Sequence, residues 1–310
     1  MTPETNRSAA ASYLRATQLD PGFALAWSGL ADIYSASPIN GDVPPLEIAE
    51  QASTAVNHAV AAGPNLAETQ TALGTVHYWL DWDWPAAETA FRKAIAVDPS
   101  YSQAHRQLGL VLTAMGRHDE ARDAMSEARR LDPFYPMQTA VSAYERLMAR
   151  DYASALDFAR RATNVAPKFW IGHFHLAVVY ERLGNSELAL KALAKAEAAS
   201  GNSKMLSLRG YILAKSGRTN EAEEALRTLK SIARERYVPP YTIALVHAGL
   251  GQHDQAFAYL EKAYEVRDVH LVFLAAQDPK WDDLRDDPRF RRLVERCDFM
   301  RTARLSAVTR

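Results

Sequence analysis

Residues 102–134 read SQAHRQLGLVLTAMGRHDEARDAMSEARRLDPF and carry a helix–turn–helix pattern that decides the fold. Small residues fall at helical spacing, with Gly109 in the first half, Ala121 and Ala128 in the second, and Pro133 after them. Glycine and alanine at such positions let two helices approach closely, and proline ends the second helix. The stretch therefore predicts a pair of antiparallel helices joined by a short turn.

The pattern recurs, because short segments that end in proline repeat along the chain, at Pro21, Pro64, Pro99, Pro133 and Pro167. The intervals between these prolines are 43, 35, 34 and 34 residues. A 34-residue period is that of tetratricopeptide repeats, in which helix pairs stack on one another. The sequence therefore predicts an all-α tetratricopeptide-repeat solenoid, a right-handed superhelix of antiparallel helix pairs with a C-terminal helical cap.

We predict one solenoid over residues 1–310, in which an initial half repeat precedes seven repeats. The predicted ranges are 6–21 for the half repeat, 22–64, 65–99, 100–133, 134–167, 168–201, 202–236 and 237–268 for the repeats, 269–297 for the cap and 298–310 for a tail. The first interval is long because it contains SASPINGDVPPLE from Ser35, whose prolines and glycine predict an enlarged turn between two helices. The half repeat lacks a first helix, so Tyr13 and Leu14 are predicted to support weak self-association.

Composition limits the class of protein. The chain has 310 residues, of which 48% are apolar and 24% charged, as is ordinary for a globular protein. A formal net charge of −1 gives no basic surface for a phosphate backbone, so direct nucleic-acid binding is not expected. The single cysteine, the absence of a signal-like apolar run near Met1 and the lack of any long apolar stretch predict a cytoplasmic protein without a membrane span.

Several motifs resemble one family of repeat regions more closely than a generic repeat does. They are FALAWSGLADIY (23–34), DWDWPAAETAFRKAIAVDP (81–99), GRHDEA (116–121), YVPPYTIALVHAGLG (237–251) and DPKWDDLRDDPRFRRLVER (278–296). In these motifs the chain resembles the C-terminal tetratricopeptide region of bacterial signalling proteins, where the repeats follow a winged-helix DNA-binding domain, a class III nucleotide cyclase domain or a Ser/Thr kinase domain. Because no such effector domain is present in this sequence, neither DNA binding nor catalysis carries over.

The resemblance implies a non-catalytic scaffold or adaptor in bacterial signalling or transcriptional regulation, which binds a protein or peptide partner. The alternative is the docking region of a truncated or split regulator or cyclase. First helices line the concave groove of such arrays, and their groove-facing positions select Tyr78, Trp79, Gln103, Arg106, Tyr144, Phe174, Glu181, Arg182, Tyr211, Lys215 and Tyr241. Tyrosine, tryptophan and arginine are frequent binding anchors, although each of these residues could instead pack between adjacent repeats.

Catalytic and metal sites are not predicted, and neither is a cofactor. The phosphate-binding, zinc-binding and nucleophile motifs are absent from the sequence. His173 and His175 lie two residues apart on a helix and so point to different faces, and Cys297 has no neighbouring histidine to act as its base. The acidic run that begins at Asp282 lacks the ligand order of a calcium loop and is predicted to serve as helix caps and solvated surface.

Two further stretches each allow two interpretations. HYWLDWDWPAAE (77–88) predicts a structural corner, in which Asp83 caps the following helix while Trp82 and Trp84 seal the hairpin; the alternative is an aromatic cage for a cation. The stretch 278–296 predicts a cap that covers the last repeat, and the alternative is a basic docking tail. The covering residues would be Trp281, Leu284, Phe290 and Leu293, and the basic ones Arg285, Arg289, Arg291 and Arg292.

Overall fold

The computed structural model describes residues 3–300, and within that range the chain is helical without a strand. The last ten residues of the predicted tail lie outside the described residues. The α-helices are α1 (Pro3–Leu19), α2 (Ala24–Asn40), α3 (Pro45–Ala62), α4 (Ala67–Val76), α5 (Trp84–Val97), α6 (Ser102–Ala114), α7 (His118–Leu131), α8 (Pro136–Met148), α9 (Tyr152–Val165), α10 (Trp170–Arg182), α11 (Ser186–Ser200), α12 (Ser203–Lys215), α13 (Thr219–Glu235), α14 (Pro240–Gly249), α15 (His253–Glu265), α16 (Val272–Ala275) and α17 (Pro288–Cys297). A π-helical turn (His77–Asp81) prolongs α4, and two 3-10 turns (Val269–Leu271 and Pro279–Leu284) flank α16.

Helices α2 to α15 pack as seven consecutive pairs, from α2 with α3 to α14 with α15. Short turns join the two helices of each pair, which are therefore antiparallel. Glycine sets the close approach within the pairs: a Cβ atom on Gly109 would lie 2.6 Å from the side chain of Met125, and one on Gly74 would lie 2.5 Å from the ring of Phe91. The predicted all-α tetratricopeptide-repeat solenoid is confirmed.

The insertion in the first pair is not the enlarged turn that its sequence predicts. Helix α2 continues through Pro38 to Asn40, and only residues 41–44 separate it from α3. Proline removes one helical hydrogen bond, but Pro38 is buried and Ile39 packs against the core. Burial of these apolar side chains outweighs the local preference for a turn, so the insertion adds helix.

The residues that follow α15 pack in two different parts of the structure. Helix α17 packs against α15, where Phe290 and Leu293 are buried, and ion pairs such as Arg289–Asp254, at 2.7 Å, link the two helices. Residues 268–284, which we call the return segment, instead turn back into the superhelix and contact the first helices of earlier pairs. The predicted cap 269–297 thus corresponds to an end cap only in α17.

The superhelix closes on itself. A guanidinium nitrogen of Arg267 donates to the carbonyl oxygens of Leu80 and Asp81, at 2.9 and 3.1 Å, and the backbone amide of Trp84 donates to Phe299 at 3.0 Å. The short turn after α2 likewise meets the start of α12, where the Ser203 hydroxyl donates to Asp42 at 2.7 Å. Within the described part of the chain, no helix has both the length and the apolar character to cross a membrane.

Candidate functional site

The candidate site is a central cavity of about 410 Å³ that the first helices enclose. Each of the seven helix pairs contributes wall residues from its first helix, and α1 and the return segment complete the wall. The wall is largely apolar, as is typical of ligand pockets. Representative apolar wall residues are Ile33, Trp79, Leu110, Val141, Tyr144, Phe174, Leu208, Leu245 and Phe273.

Six of the eleven predicted groove residues line this cavity, namely Trp79, Gln103, Arg106, Tyr144, Phe174 and Tyr241. Tyr78 does not, because its ring is buried between Trp79 and Trp84, at centroid distances of 4.5 and 6.1 Å. Its assignment to the groove is therefore corrected to the core. The π-helical turn explains the change, since the extra residue in each turn shifts side chains away from the positions that a regular helix predicts.

The remaining four predicted residues, Glu181, Arg182, Tyr211 and Lys215, lie beside the return segment. The Arg182 guanidinium donates to the Pro279 carbonyl at 2.9 Å and to the Tyr211 hydroxyl at 2.8 Å. Glu181 forms an ion pair with Arg182, which fixes the orientation of the guanidinium. Lys215 pairs with Asp283 at 2.8 Å. These groove positions are therefore engaged by the chain itself.

Further contacts hold the return segment against the first helices. The Trp281 indole donates to the Tyr241 hydroxyl at 2.7 Å, and Arg150 pairs with Asp282 at 2.7 Å. The ring of Phe273 lies 6.2 Å from that of Trp79 and 5.7 Å from that of Tyr144.

The acidic run beginning at Asp282 does not only cap helices and face solvent, as its sequence predicts. Asp287 does cap α17, since its side chain accepts from the Arg289 amide at 2.8 Å. Asp282 and Asp283, however, pair with Arg150 and Lys215 on first helices and their turns. Sequence offers no signal for such pairs, because the partners lie far apart along the chain.

One end of the cavity carries Asp32, Gln103 and Arg106. The Gln103 amide donates to one carboxylate oxygen of Asp32 at 2.8 Å. Burial raises the pKa of Asp32 to about 6, while Gln103 and Arg106 act to lower it. Burial also lowers the pKa of Arg106. Asp32 lies at the same position in its repeat as residues of the other first helices. The sequence shows it only as an acidic residue in an apolar helix, which does not indicate its raised pKa.

A second polar group of wall residues lies where the return segment meets α10 and α12. Lys204 donates to the carbonyl of Ile39, and burial, with the charge of Lys280 beside it, lowers the pKa of Lys204 to about 8. Lys280 pairs with Asp278. Burial and the two lysines lower the pKa of His175 to about 3. Sequence reasoning missed these residues because only the return segment brings them together.

The return segment also places His270 in this group. Its Nδ1 atom lies 2.7 Å from Asp268, whose other oxygen accepts from the Tyr241 amide at 3.1 Å. Burial lowers the pKa of His270 although Asp268 opposes the change. With Nδ1 donating to the carboxylate, Nε2 is an acceptor, and no residue between 3 and 300 donates a hydrogen bond to it.

The tryptophan-rich corner is structural. Asp83 caps α5, since its carboxylate accepts from the Ala86 amide at 2.9 Å, as predicted. Trp82 and Trp84 are only 1% and 2% exposed. The cation over the Trp82 ring is that of Arg267, at 4.2 Å from the centroid, so the chain's own arginine occupies the place that an external cation would need.

Other reactive side chains are enclosed. Burial raises the pKa of the Cys297 thiol to about 12, which leaves it protonated and unreactive at neutral pH. Nδ1 of His173 makes no hydrogen bond within the part of the chain that the structure describes, and its Nε2 lies 2.8 Å from the Pro167 carbonyl. Across residues 3–300, no group of three or more His, Cys, Asp and Glu side chains could hold a metal ion.

Comparison with solved structures agrees with this architecture. A chain of the APC/C hetero-tetramer Cut9–Hcn1 superimposes with a TM-score of 0.64 at 15% identity, over 93% of this chain and 52% of that chain. YrrB, a tetratricopeptide protein with an unusual peptide-binding site, gives a TM-score of 0.38 at 18% identity, over 61% of this chain and 93% of that one. The first likeness shows the fold alone.

Sequence comparison identifies the repeats themselves. Anaphase-promoting complex subunit 3 of Schizosaccharomyces pombe is 31% identical over 150 residues, which are 48% of this chain and 22% of that protein. This chain thus spans about a fifth of that relative and about half of the Cut9–Hcn1 chain. Two family models described as tetratricopeptide repeat match residues 83–136 and 141–204, and residues 203–236 and 241–270, which together are more than half of the chain. The chain therefore belongs to the tetratricopeptide-repeat family.

Proposed function

We propose that this protein is a non-catalytic scaffold that binds an extended segment of a partner protein along the inside of its superhelix. Tetratricopeptide-repeat proteins are in general protein-interaction scaffolds, whose concave surfaces hold peptides. The single observation that carries the proposal is the return segment, which lies against first helices in the way that a bound peptide would. Its backbone carbonyl at Pro279 and its carboxylates at Asp282 and Asp283 each contact a basic side chain of the array.

The return segment also indicates the chemistry of the partner. The array offers Arg150, Arg182 and Lys215 as cations, with the Tyr241 hydroxyl and ring beside them. Such a surface fits a segment that combines an aromatic residue with adjacent acidic residues. A partner of this kind would compete with residues 279–284 for the same contacts, so binding would require the return segment to move aside.

We infer the biological setting from the motifs at 81–99, 237–251 and 278–296, which resemble those in the repeat regions of bacterial signalling proteins. We place the protein in bacterial signalling or transcriptional regulation, as an adaptor in the cytoplasm. In this setting the return segment would keep the groove closed until a partner with the matching sequence is present.

Comparative capture tests the proposal. Tagged wild-type protein, the return-segment variant Asp282→Lys/Asp283→Lys and the groove variant Arg150→Glu/Lys215→Glu are used as baits in extracts of the source cell. We expect the return-segment variant to retain more of a partner than the wild type does, and the groove variant to retain less. Cross-linking with mass spectrometry should place the partner's acidic segment against α12 and α14.

The matched control is Arg227→Glu on α13, whose ion pairs with Glu223 and Glu224 lie on the second helix of a pair and away from the cavity wall. It should capture the same proteins as the wild type. Identical capture by all four baits, with no cross-link to a first helix, would contradict the proposal.

A further inference from the structure

Arg106 is the most unusual group in the cavity wall. It lies on α6 in the cavity wall, its buried Nε atom has no hydrogen-bond partner among the described residues, and the nearby Asp32 carboxylate acts on it only electrostatically. The closest aromatic contact places its guanidinium carbon 6.0 Å from the Tyr135 ring centroid. A buried N–H donor without an acceptor is costly, so a ligand that supplies the missing acceptor would bind favourably.

Asp32 does not supply that acceptor. Its carboxylate is held by the Gln103 amide at 2.8 Å and forms no ion pair with Arg106 in the described structure. The cations at the opposite end of the cavity differ from Arg106, because each has an internal partner. Lys204 donates to the Ile39 carbonyl, and Lys280 pairs with Asp278.

The position of Arg106 defines how a ligand would lie. Tyr13 and Tyr135 line the cavity and are 38% and 39% exposed, so the cavity reaches solvent between α1 and the start of α8, next to Arg106. Between Arg106 and the second polar group the wall carries apolar side chains: Leu110 follows one turn along α6, and Trp79 and Phe273 line the same cavity with their rings 6.2 Å apart. A ligand would therefore place a charged head near the mouth and an apolar body inside.

We propose that this cavity binds an amphipathic monocarboxylate, an acyl or arylalkyl acid, with its carboxylate on the Arg106 guanidinium and its apolar body between Trp79, Tyr144 and Phe273. The planar fork of guanidinium donors matches a carboxylate in two parallel hydrogen bonds. A monocarboxylate places one negative charge beside Asp32, whereas a phosphate dianion would place two there, so repulsion favours the monocarboxylate. The volume of about 410 Å³ lies within the range of small-molecule sites and is bounded on one side by the return segment.

Calorimetric titration with two probes of equal chain length tests the head group. Decanoate carries the carboxylate, and decanol carries the same apolar chain without it. We expect the wild-type protein to bind decanoate at least roughly tenfold more tightly than decanol, because a hydrogen bond to a charged group adds to the burial of the chain. Native mass spectrometry of the purified protein first identifies any bound molecule, which is exchanged away before titration.

Three variants separate the head group from the cavity. Arg106→Gln should lower decanoate affinity by roughly tenfold or more and leave decanol affinity unchanged. Ala36→Phe, which fills the wall beside the cavity, should abolish binding of both probes. Arg122→Gln, a partly exposed arginine on α7 paired with Asp119, is the matched control and should behave as the wild type. Circular dichroism melting confirms that each variant is folded.

Equal affinity for decanoate and decanol would overturn the proposal. So would decanoate binding that survives Arg106→Gln, or a wild-type protein that binds neither probe. The result is independent of the partner protein, since the titration contains only the purified chain, and loss of partner capture would leave it unaffected.

Discussion

At the scale of the residue, Trp84 contributes through burial against the end of the chain. Its ring stacks on Phe299, with centroids 4.5 Å apart and an interplanar angle of 12°. Replacement of the Trp84 side chain by a methyl group would leave a cavity that the neighbouring side chains cannot fill. We expect Trp84→Ala to lower the free energy of unfolding by about 3 kcal/mol. The nearby Asp81→Asn changes a partly exposed contact with His77 and should cost no more than about 0.5 kcal/mol. Chemical denaturation of both variants checks this, and wild-type stability of Trp84→Ala would disprove the structural-corner interpretation.

Asp32 makes stability depend on pH. Burial raises the pKa of Asp32 to about 6, above its value in the unfolded chain, so the folded state binds the proton more tightly. Its contribution to stability is therefore greatest below about pH 4 and decreases as pH rises to about 6. We expect Asp32→Asn to be more stable than the wild type by about 2 kcal/mol at pH 8 and equally stable at pH 4. Urea denaturation at both pH values measures the difference, and the exposed Asp123→Asn should show none. A constant difference at both values would contradict the assignment.

At the scale of the element, the backbone of the turn between α8 and α9 is strained at Arg150, and the side chain of Arg150 holds the return segment. Arg150 has a φ of 65°, where the equivalent turns carry glycine, such as Gly184 with a φ of 75°. We expect Arg150→Gly to change the free energy of unfolding by less than about 1 kcal/mol, because relief of strain offsets loss of the partly exposed pair with Asp282. Hydrogen exchange of the 3-10 turn Pro279–Leu284 should nevertheless become faster. The control Gly184→Ala should cost about 1 kcal/mol without changing that exchange. Unchanged exchange in Arg150→Gly would show that the pair does not hold the segment.

At the scale of the whole molecule, removal of the chain from Asp278 onward should strongly destabilise the fold. Trp281, Leu284, Phe290 and Leu293 are all buried, and their loss would uncover the inside and the end of the array together. We expect aggregation or a large fall in melting temperature. A soluble truncation with the wild-type melting temperature would instead identify this stretch as a docking tail.

Weak self-association is a further expectation for the whole molecule. Helix α1 packs on α2, but its Leu14 and Leu19 remain 42% and 71% exposed. Exposed apolar side chains on a terminal helix favour association. Light scattering over a concentration series should show a rising mean mass, and Leu14→Glu should reduce it. A strictly constant monomer mass would contradict the expectation.

Much of the fold was predictable, because the packing of the two helices in a repeat depends on the sizes of residues that lie close together in the sequence. Gly109 and Ala121 predict a close helix pair from spacing alone, and Asp83 predicts a cap from its place before Pro85. The helical extension through Pro38 was not predictable, since tertiary burial overrides the local preference. The candidate site was predictable in the first helices, where six groove residues line the cavity. The return segment was not, because the contacts of Phe273 with Trp79 and Tyr144 have no local signature.

Closure of the superhelix bears on how fast the chain folds. An open array of repeats folds by adding each helix pair to its neighbour, and its contacts are near in sequence. Here Arg267 bonds to the carbonyl of Leu80, 187 residues earlier, and Arg150 pairs with Asp282, 132 residues later. Such contacts form only after a long stretch of chain has been ordered, and they carry the entropy cost of closing that loop. We infer that repeat stacking forms first and that joining the two ends is the slow step of folding.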